Sequence, residues 1–252
     1  MNNAIKGNNE EIIYTKLLNK KENFWEVLDY NIDDTFAIHI INKKYGKLNE
    51  AKVQSKADIF FAKGNVPKDY LIKNDYYLNE LDIDKFNLEA ISKSGLSIKM
   101  SNSKYTITKI SPNTFLKIFQ NNILAAGSSI YCQKEEEFVK NSDVLKGWNV
   151  NELEFVEYFS KNSNDEINIS LNNKTALETI KTFSNNKIAQ LILESEKISD
   201  LIFKGIGNFD EPFTANWIIE NDTLKPNYYI PFIITTGSGR SKGIFTIVLK
   251  PK

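Results

Sequence analysis

Two short segments constrain this chain more than any others: Ser55-Lys56-Ala57-Asp58-Ile59-Phe60-Phe61 and Gly95-Leu96-Ser97-Ile98-Lys99-Met100. Each reads as a strand, one as a brief apolar run and the other as a two-residue alternation. Together they place one acid, Asp58, and one lysine, Lys99, on strands able to be neighbours. Along the second strand Lys99 points to the same side as Ser97, two residues back. If the strands pair, the ammonium lies beside the carboxylate.

The rest of the chain supplies further strands and several helices. Residues 8–18 have polar capping residues, early acids and apolar residues at helical spacing, and predict a helix covering one face of a sheet. Strands are expected within 30–41 and 51–61, the second closed by a Gly64-Asn65-Val66-Pro67 turn. Leu96 to Met100 and Tyr105 to Ile110 read as a hairpin across Ser101-Asn102-Ser103-Lys104. Helices follow after Pro112, around 135–146, and over 173–193 with a break near Ser184-Asn185-Asn186. The end returns to strands at 217–219, 228–235 and 244–249, the last two joined by the glycine-rich stretch 237–243. These elements predict an α/β fold with a mixed central β-sheet flanked by helices. We expect one domain over 1–252, with a core at about 1–120 and a helical plus C-terminal β part at about 121–252.

Composition narrows the chemistry. The single cysteine, Cys132, and single histidine, His39, leave no zinc site at any usual spacing. His39 falls in the apolar run 36–41, where a structural role is expected. The Gly-x-Ser-x-Gly match at 239–243 lies between strands, not at a strand-to-helix turn, and is set aside as a nucleophile elbow. No apolar run reaches the roughly 18 residues that span a bilayer, and the polar N-terminus lacks a signal-peptide core, so a cytoplasmic protein is expected. Formal net charge is zero, with 32 basic and 32 acidic residues. That balance lowers the expectation of nucleic-acid binding without forbidding it, because clustering on one face matters more than the sum. Lysine dominates the basic residues and Asn and Ile are plentiful, as in an AT-rich, bacterial source.

Phosphodiester cleavage needs a metal ion to polarise the phosphate and activate water, and a cation to orient the nucleophile. Asp58 is suited to the metal, and Lys99 to positioning water. Magnesium takes oxygen ligands and keeps several waters, so Asp58, the carbonyl of Ile98 and phosphate oxygens can make up a shell, with Ser97 secondary. The Lys-Ala-Asp-Ile segment at 56–59 and the Gly-x-Ser-Ile-Lys segment at 95–99 resemble the PD-(D/E)xK superfamily, and specifically type II restriction endonucleases. Asp58 matches the family's first acid and Lys99 its lysine. Ser97 stands where the family usually has Asp or Glu, a departure that calls for a helper acid or implies weaker metal binding. Glu10, or its neighbour Glu11, is the candidate, since an acid on the N-terminal helix often completes the family's site. The resemblance covers about the first half of the chain. It implies a restriction-endonuclease-like fold, Mg2+-dependent hydrolysis of double-stranded DNA at a short sequence, a homodimer and a companion DNA methyltransferase.

Two alternatives stand beside this reading. One is a structure-specific or repair nuclease, and the other is a non-catalytic DNA-binding protein. Asp58 as a strand-edge residue and Ser97-Ile98-Lys99 as a half-exposed strand is the plain structural interpretation. For DNA contact, the only arginine, Arg240, sits with Ser238, Ser241 and Lys242 in the glycine-rich stretch, a donor set suited to a guanine edge or a phosphate. Lys104 and Lys109 are candidate phosphate contacts.

Overall fold

The computed structural model describes residues 3–21, 24–31, 33–40, 55–78, 80–99, 105–110, 112–119, 137–138, 151–162, 169–170, 174–227, 230–236 and 247–252. They form a mixed α/β protein whose chain divides into two units. The first comprises Met1–Tyr105 and Phe203–Tyr229, the second Thr106–Ile202 and Ile230–Lys252.

The first unit opens with α1 (Asn3–Asn19) and a single turn, α2 (Trp25–Leu28), followed by β1 (Thr35–His39) and β2 (Ile59–Lys63). Next come α3 (Lys68–Lys73), α4 (Glu80–Phe86), the two-residue β3 (Glu89–Ala90) and β4 (Leu96–Lys99). Past residue 203, β8 (Trp217–Glu220) and β9 (Thr223–Pro226) complete its sheet. The strand order is β1-β2-β4-β8-β9, with β3 paired to β2. Only the β4–β8 pair is parallel.

The sheet is buried on both faces. One face packs Ile38, Phe60 and Ala62 with Leu71, Leu78 and Phe213. The other packs Ala37, Ile59, Phe61 and Leu96 with Tyr14 and Leu18 of α1, Trp25 and Leu28 of α2, and Ile219 and Leu224. The alternation of inward side chains along β1 and β2 therefore reads as a nearly continuous apolar run, as a doubly covered strand requires. Asn19 fastens the end of α1 to β1, its amide donating to the Ala37 carbonyl at 2.8 Å and accepting from the Ala37 N–H at 3.1 Å. Gly95 is needed where β4 begins. A Cβ there would lie 1.8 Å from the Thr214 carbonyl oxygen and 2.6 Å from that of Pro212.

The second unit contains β5 (Thr108–Ile110), α5 (Pro112–Phe119), β6 (Glu137–Phe138), α6 (Glu152–Asn162), β7 (Ile169–Ser170), α7 (Lys174–Glu194) and α8 (Glu196–Phe203). It ends with β10 (Phe232–Thr236) and β11 (Ile247–Pro251), an antiparallel pair as the sequence predicts.

Three expectations change. The predicted hairpin between Leu96–Met100 and Tyr105–Ile110 does not form: β4 has β2 on one edge and β8 on the other, and β5 pairs with β11. The predicted break near Ser184 is absent, because α7 runs unbroken with Phe183, Ser184 and Ile188 all buried. Most of the predicted helix at 135–146 lies outside the described residues, and Glu137–Phe138 within it is strand. No helix among the described residues is long and apolar enough to cross a membrane.

Candidate active site

Asp58 stands at the mouth of β2, where the chain is held from both sides. Its N–H donates to the Leu96 carbonyl and its own carbonyl accepts from the Ile40 N–H, each at 2.9 Å. The pairing of β2 with β4 at Ile59 and Leu96 then sets the Asp58 carboxylate against the next two residues of β4. Oδ2 accepts the Ile98 N–H at 2.7 Å and the Ser97 hydroxyl at 3.1 Å. Lys99 Nζ donates to the same Ser97 Oγ at 2.8 Å. Asp58, Ser97 and Lys99 thus form one hydrogen-bonded chain across two strands, as the two-residue period requires.

Ile98 enters the cluster through its N–H. On a strand, a residue's N–H and C=O face the same neighbour, so the Ile98 carbonyl is directed towards the Asp58 side as well. Both bonds to the carboxylate described here fall on Oδ2, which leaves Oδ1 and the Ile98 carbonyl as oxygen donors for a hard cation. This donor set suits magnesium, which is content with one or two carboxylates and several waters. The described residues hold no group of three or more His, Cys, Asp or Glu side chains able to grip a metal by themselves.

The acids on α1 behave differently from each other. Glu11 accepts from or pairs with His39 Nε2 at 3.0 Å, and its charge is felt at Asp58. His39 is fully buried. Glu10 instead has a buried carboxylate oxygen with no hydrogen-bond partner among the described residues. Of the two acids, Glu11 is the one whose charge acts on Asp58.

Electrostatics sharpen the picture. Burial raises the Asp58 carboxyl above its ordinary value, and Glu11 raises it further, while the Lys99 ammonium and the bonds from Ile98 and Ser97 pull it back. Lys56, two residues before Asp58, is brought down to about 8, first by burial and then by repulsion from Lys99, with Asp58 opposing. It belongs to the cluster and escaped the sequence reading, although its spacing from Asp58 repeats that of Ser97 from Lys99.

Beyond Lys99 the cluster continues onto β8. Register places Lys99 beside Glu220, and Lys99 Nζ lies 5.5 Å from the centre of the Tyr105 ring. The Tyr105 hydroxyl donates to Glu220 Oε1 at 2.7 Å, and Lys225 Nζ meets Glu220 Oε2 at 2.9 Å. These two bonds hold the Glu220 carboxyl below its usual range. Tyr105 is raised, by burial and by that same carboxylate. Nothing local in the sequence joins Glu220 to Lys99, since the parallel pairing of β4 and β8 spans more than a hundred residues.

Of the predicted DNA contacts, Lys104, Ser238, Arg240 and Lys242 lie outside the described residues. Lys109 is an exposed residue of β5 in the second unit.

No protein-family model matches the chain, and no curated protein matches it in sequence.

Proposed function

We propose that this chain is a magnesium-dependent endonuclease that hydrolyses double-stranded DNA at a short specific sequence, built on a restriction-endonuclease-like fold. The observation that carries the reading is the hydrogen-bonded chain from Asp58 through Ser97 to Lys99. Two strands separated by some forty residues meet so that one carboxylate and one ammonium share a single hydroxyl.

Asp58, with the Ile98 carbonyl and the Ser97 hydroxyl, would hold the metal, and Glu11 adds negative charge behind them. When bound, magnesium polarises the phosphate and lowers the pKa of a coordinated water. Lys99 and Lys56 supply positive charge to draw in and orient the phosphodiester, offsetting charge that develops during cleavage. Ser97 holds the Lys99 ammonium in place. Because Ser97 contributes no charge, the single carboxylate Asp58 carries more of the metal binding than two would.

The same reading carries a homodimer acting on a palindromic site, a cytoplasmic location and a companion DNA methyltransferase protecting the host. The test is incubation of the purified protein with long unmethylated DNA, in magnesium or in excess chelator. Discrete magnesium-dependent fragments are expected, and Asp58→Ala and Lys99→Ala should abolish them while DNA binding persists. Intact DNA across several substrates and metals would overturn the reading in favour of a non-catalytic DNA-binding protein, and a continuous smear would favour a structure-specific nuclease.

A further inference from the structure

At the C-terminal end of α1, beyond Glu11 at the middle of that helix, the first unit has a cleft of about 610 Å³, within the range of small-molecule sites. Nine residues of helix separate Glu11 from Lys20, roughly 13 Å. The cleft is therefore distinct from the Asp58 cluster. Lys20 and Lys21, at the end of α1, and Lys68, at the start of α3, line it together with Phe36, Leu71 and Tyr76. No acid lines it. Among the described residues, no ion pair engages Lys20, Lys21 or Lys68. The nearby Asp75 is already paired with Lys16, at 3.3 Å.

The backbone gives an independent indication. Among the described residues, eight non-glycine residues have positive φ, and five of these are Asn or Asp, which tolerate the left-handed region. Of the other three, two line this cleft: Lys21 at φ 60° and Tyr76 at φ 58°. Lys21 occupies the end of α1, where glycine would be free of strain. Tyr76 is pinned by the bond from its own N–H to the Leu71 carbonyl at 2.8 Å and by the His39 N–H to its carbonyl at 3.0 Å. Strain of this kind persists only where the surroundings over-determine it, and it gathers at ligand sites. Here it keeps a cation and a ring at the cleft. Lys21 Nζ lies 5.4 Å from the centre of the Phe36 ring, which holds the charge over the aromatic floor.

We propose that this cleft binds a nucleoside phosphate, with the phosphate on Lys20, Lys21 and Lys68 and the base against Phe36 and Tyr76. Three cations with no ion pair among the described residues select an anion. The rings of Phe36 and Tyr76 add apolar surface that a bare phosphate does not cover and a base fills by stacking. The source is either a free nucleotide or the 5′-phosphorylated end of a DNA strand, and both present the same chemistry.

Calorimetric titration of the full chain with AMP, ATP, pyrophosphate, and a tetranucleotide with or without a 5′-phosphate tests this. At least one nucleoside phosphate should bind tenfold or more tightly than pyrophosphate. Preference for AMP or ATP assigns a free nucleotide, and preference for the 5′-phosphorylated over the 5′-hydroxyl tetranucleotide assigns a strand end. Tyr76→Asn, which keeps a residue at ease with positive φ, should erase the advantage over pyrophosphate. Lys21→Gly should weaken binding at least tenfold without lowering the melting temperature appreciably, and the exposed Lys20→Met and Lys68→Met should weaken it in proteins that fold normally. Asp58→Ala should bind as the parent does, which separates this site from the nuclease reading. Absence of binding by every nucleoside phosphate, or equal affinity for pyrophosphate, would overturn the proposal.

Discussion

Asp58 is the residue on which most of the chemistry turns, and its environment makes its charge costly until a cation arrives. Burial and Glu11 together outweigh the help it receives from Lys99, Ile98 and Ser97. Asp58→Asn retains an oxygen to accept the Ile98 N–H but removes the buried charge. In chelator the variant should melt at a higher temperature than the parent while cutting no DNA. Magnesium should raise the melting temperature of the parent and not of the variant, because a ligand stabilises only the state that binds it. Thermal melts with and without magnesium check both statements, and an equal magnesium response in the two proteins would remove Asp58 as the ligand. Ser97 offers the complementary experiment. It is only 2% exposed, with Lys99 Nζ 2.8 Å from its oxygen, so a carboxylate there would have a cation waiting. Ser97→Asp should lower the magnesium concentration needed for half-maximal cleavage and reduce stability in chelator, where two carboxylates repel. At this scale the sequence was informative because a strand's period of two is short: Asp58, Ser97 and Lys99 could be placed from a few residues each. The choice between Glu10 and Glu11 was not within reach. Tyr14, Thr15 and Leu18 are the buried stripe of α1, and both acids precede it at helical spacing, Glu10 four residues before Tyr14 and Glu11 four before Thr15.

Whole elements were harder to read, and β8 shows why. Its sequence, Trp217-Ile218-Ile219-Glu220, announces a strand, but only parallel pairing with β4 gives Glu220 its place beside Lys99 and Tyr105. Nothing local records that partner. The proposed hairpin failed for a related reason: Leu96–Met100 and Tyr105–Ile110 alternate convincingly, and alternation cannot say which edges are already taken. The continuous α7 is similar, since Ser184-Asn185-Asn186 is a weak local breaker that tertiary burial of Phe183, Ser184 and Ile188 overrides. Glu220 also carries a pH dependence. Its carboxyl lies below the ordinary value because Lys225 and Tyr105 bond the charged form. A depressed acid contributes stability above its unfolded value, and that contribution is lost as the pH falls through the folded one. Glu220→Gln should therefore cost stability at pH 7, under about 1 kcal/mol because the pair with Lys225 is partly screened by solvent. The difference between parent and variant should shrink as the pH falls below the ordinary carboxylate range and vanish once Glu220 is protonated in the folded protein. Denaturant melts across an acid pH series measure it, and a difference that persists at its acid end would mean that Glu220 acts through packing instead.

At the scale of the molecule, the sheet that carries Asp58 and Lys99 is not a continuous stretch of sequence. The change from strands to helices near residue 120 invites a division there, yet β8 and β9 enter the first unit from beyond residue 203. Ile218, Ile219 and Leu224 are all buried in that unit. Each such side chain is worth about 1.5–3 kcal/mol when fully buried, so their sum rivals the roughly 5–15 kcal/mol that stabilises a typical domain. A fragment of residues 1–120 would lose them, leave Leu96 facing water on one side, and expose the β4 edge as an unpaired template for aggregation. It would also lose Asp222, whose side chain accepts a hydrogen bond from Tyr14 and ties α1 to the β8–β9 turn. The fragment should show no cooperative thermal transition, bind an apolar dye and cut no DNA, although it holds Asp58, Ser97 and Lys99. Circular dichroism and dye binding against the full chain decide the matter. A cooperative melt in the fragment would mean that α1, β1, β2 and β4 bury enough between them to stand alone, and that β8 and β9 serve the site more than the fold.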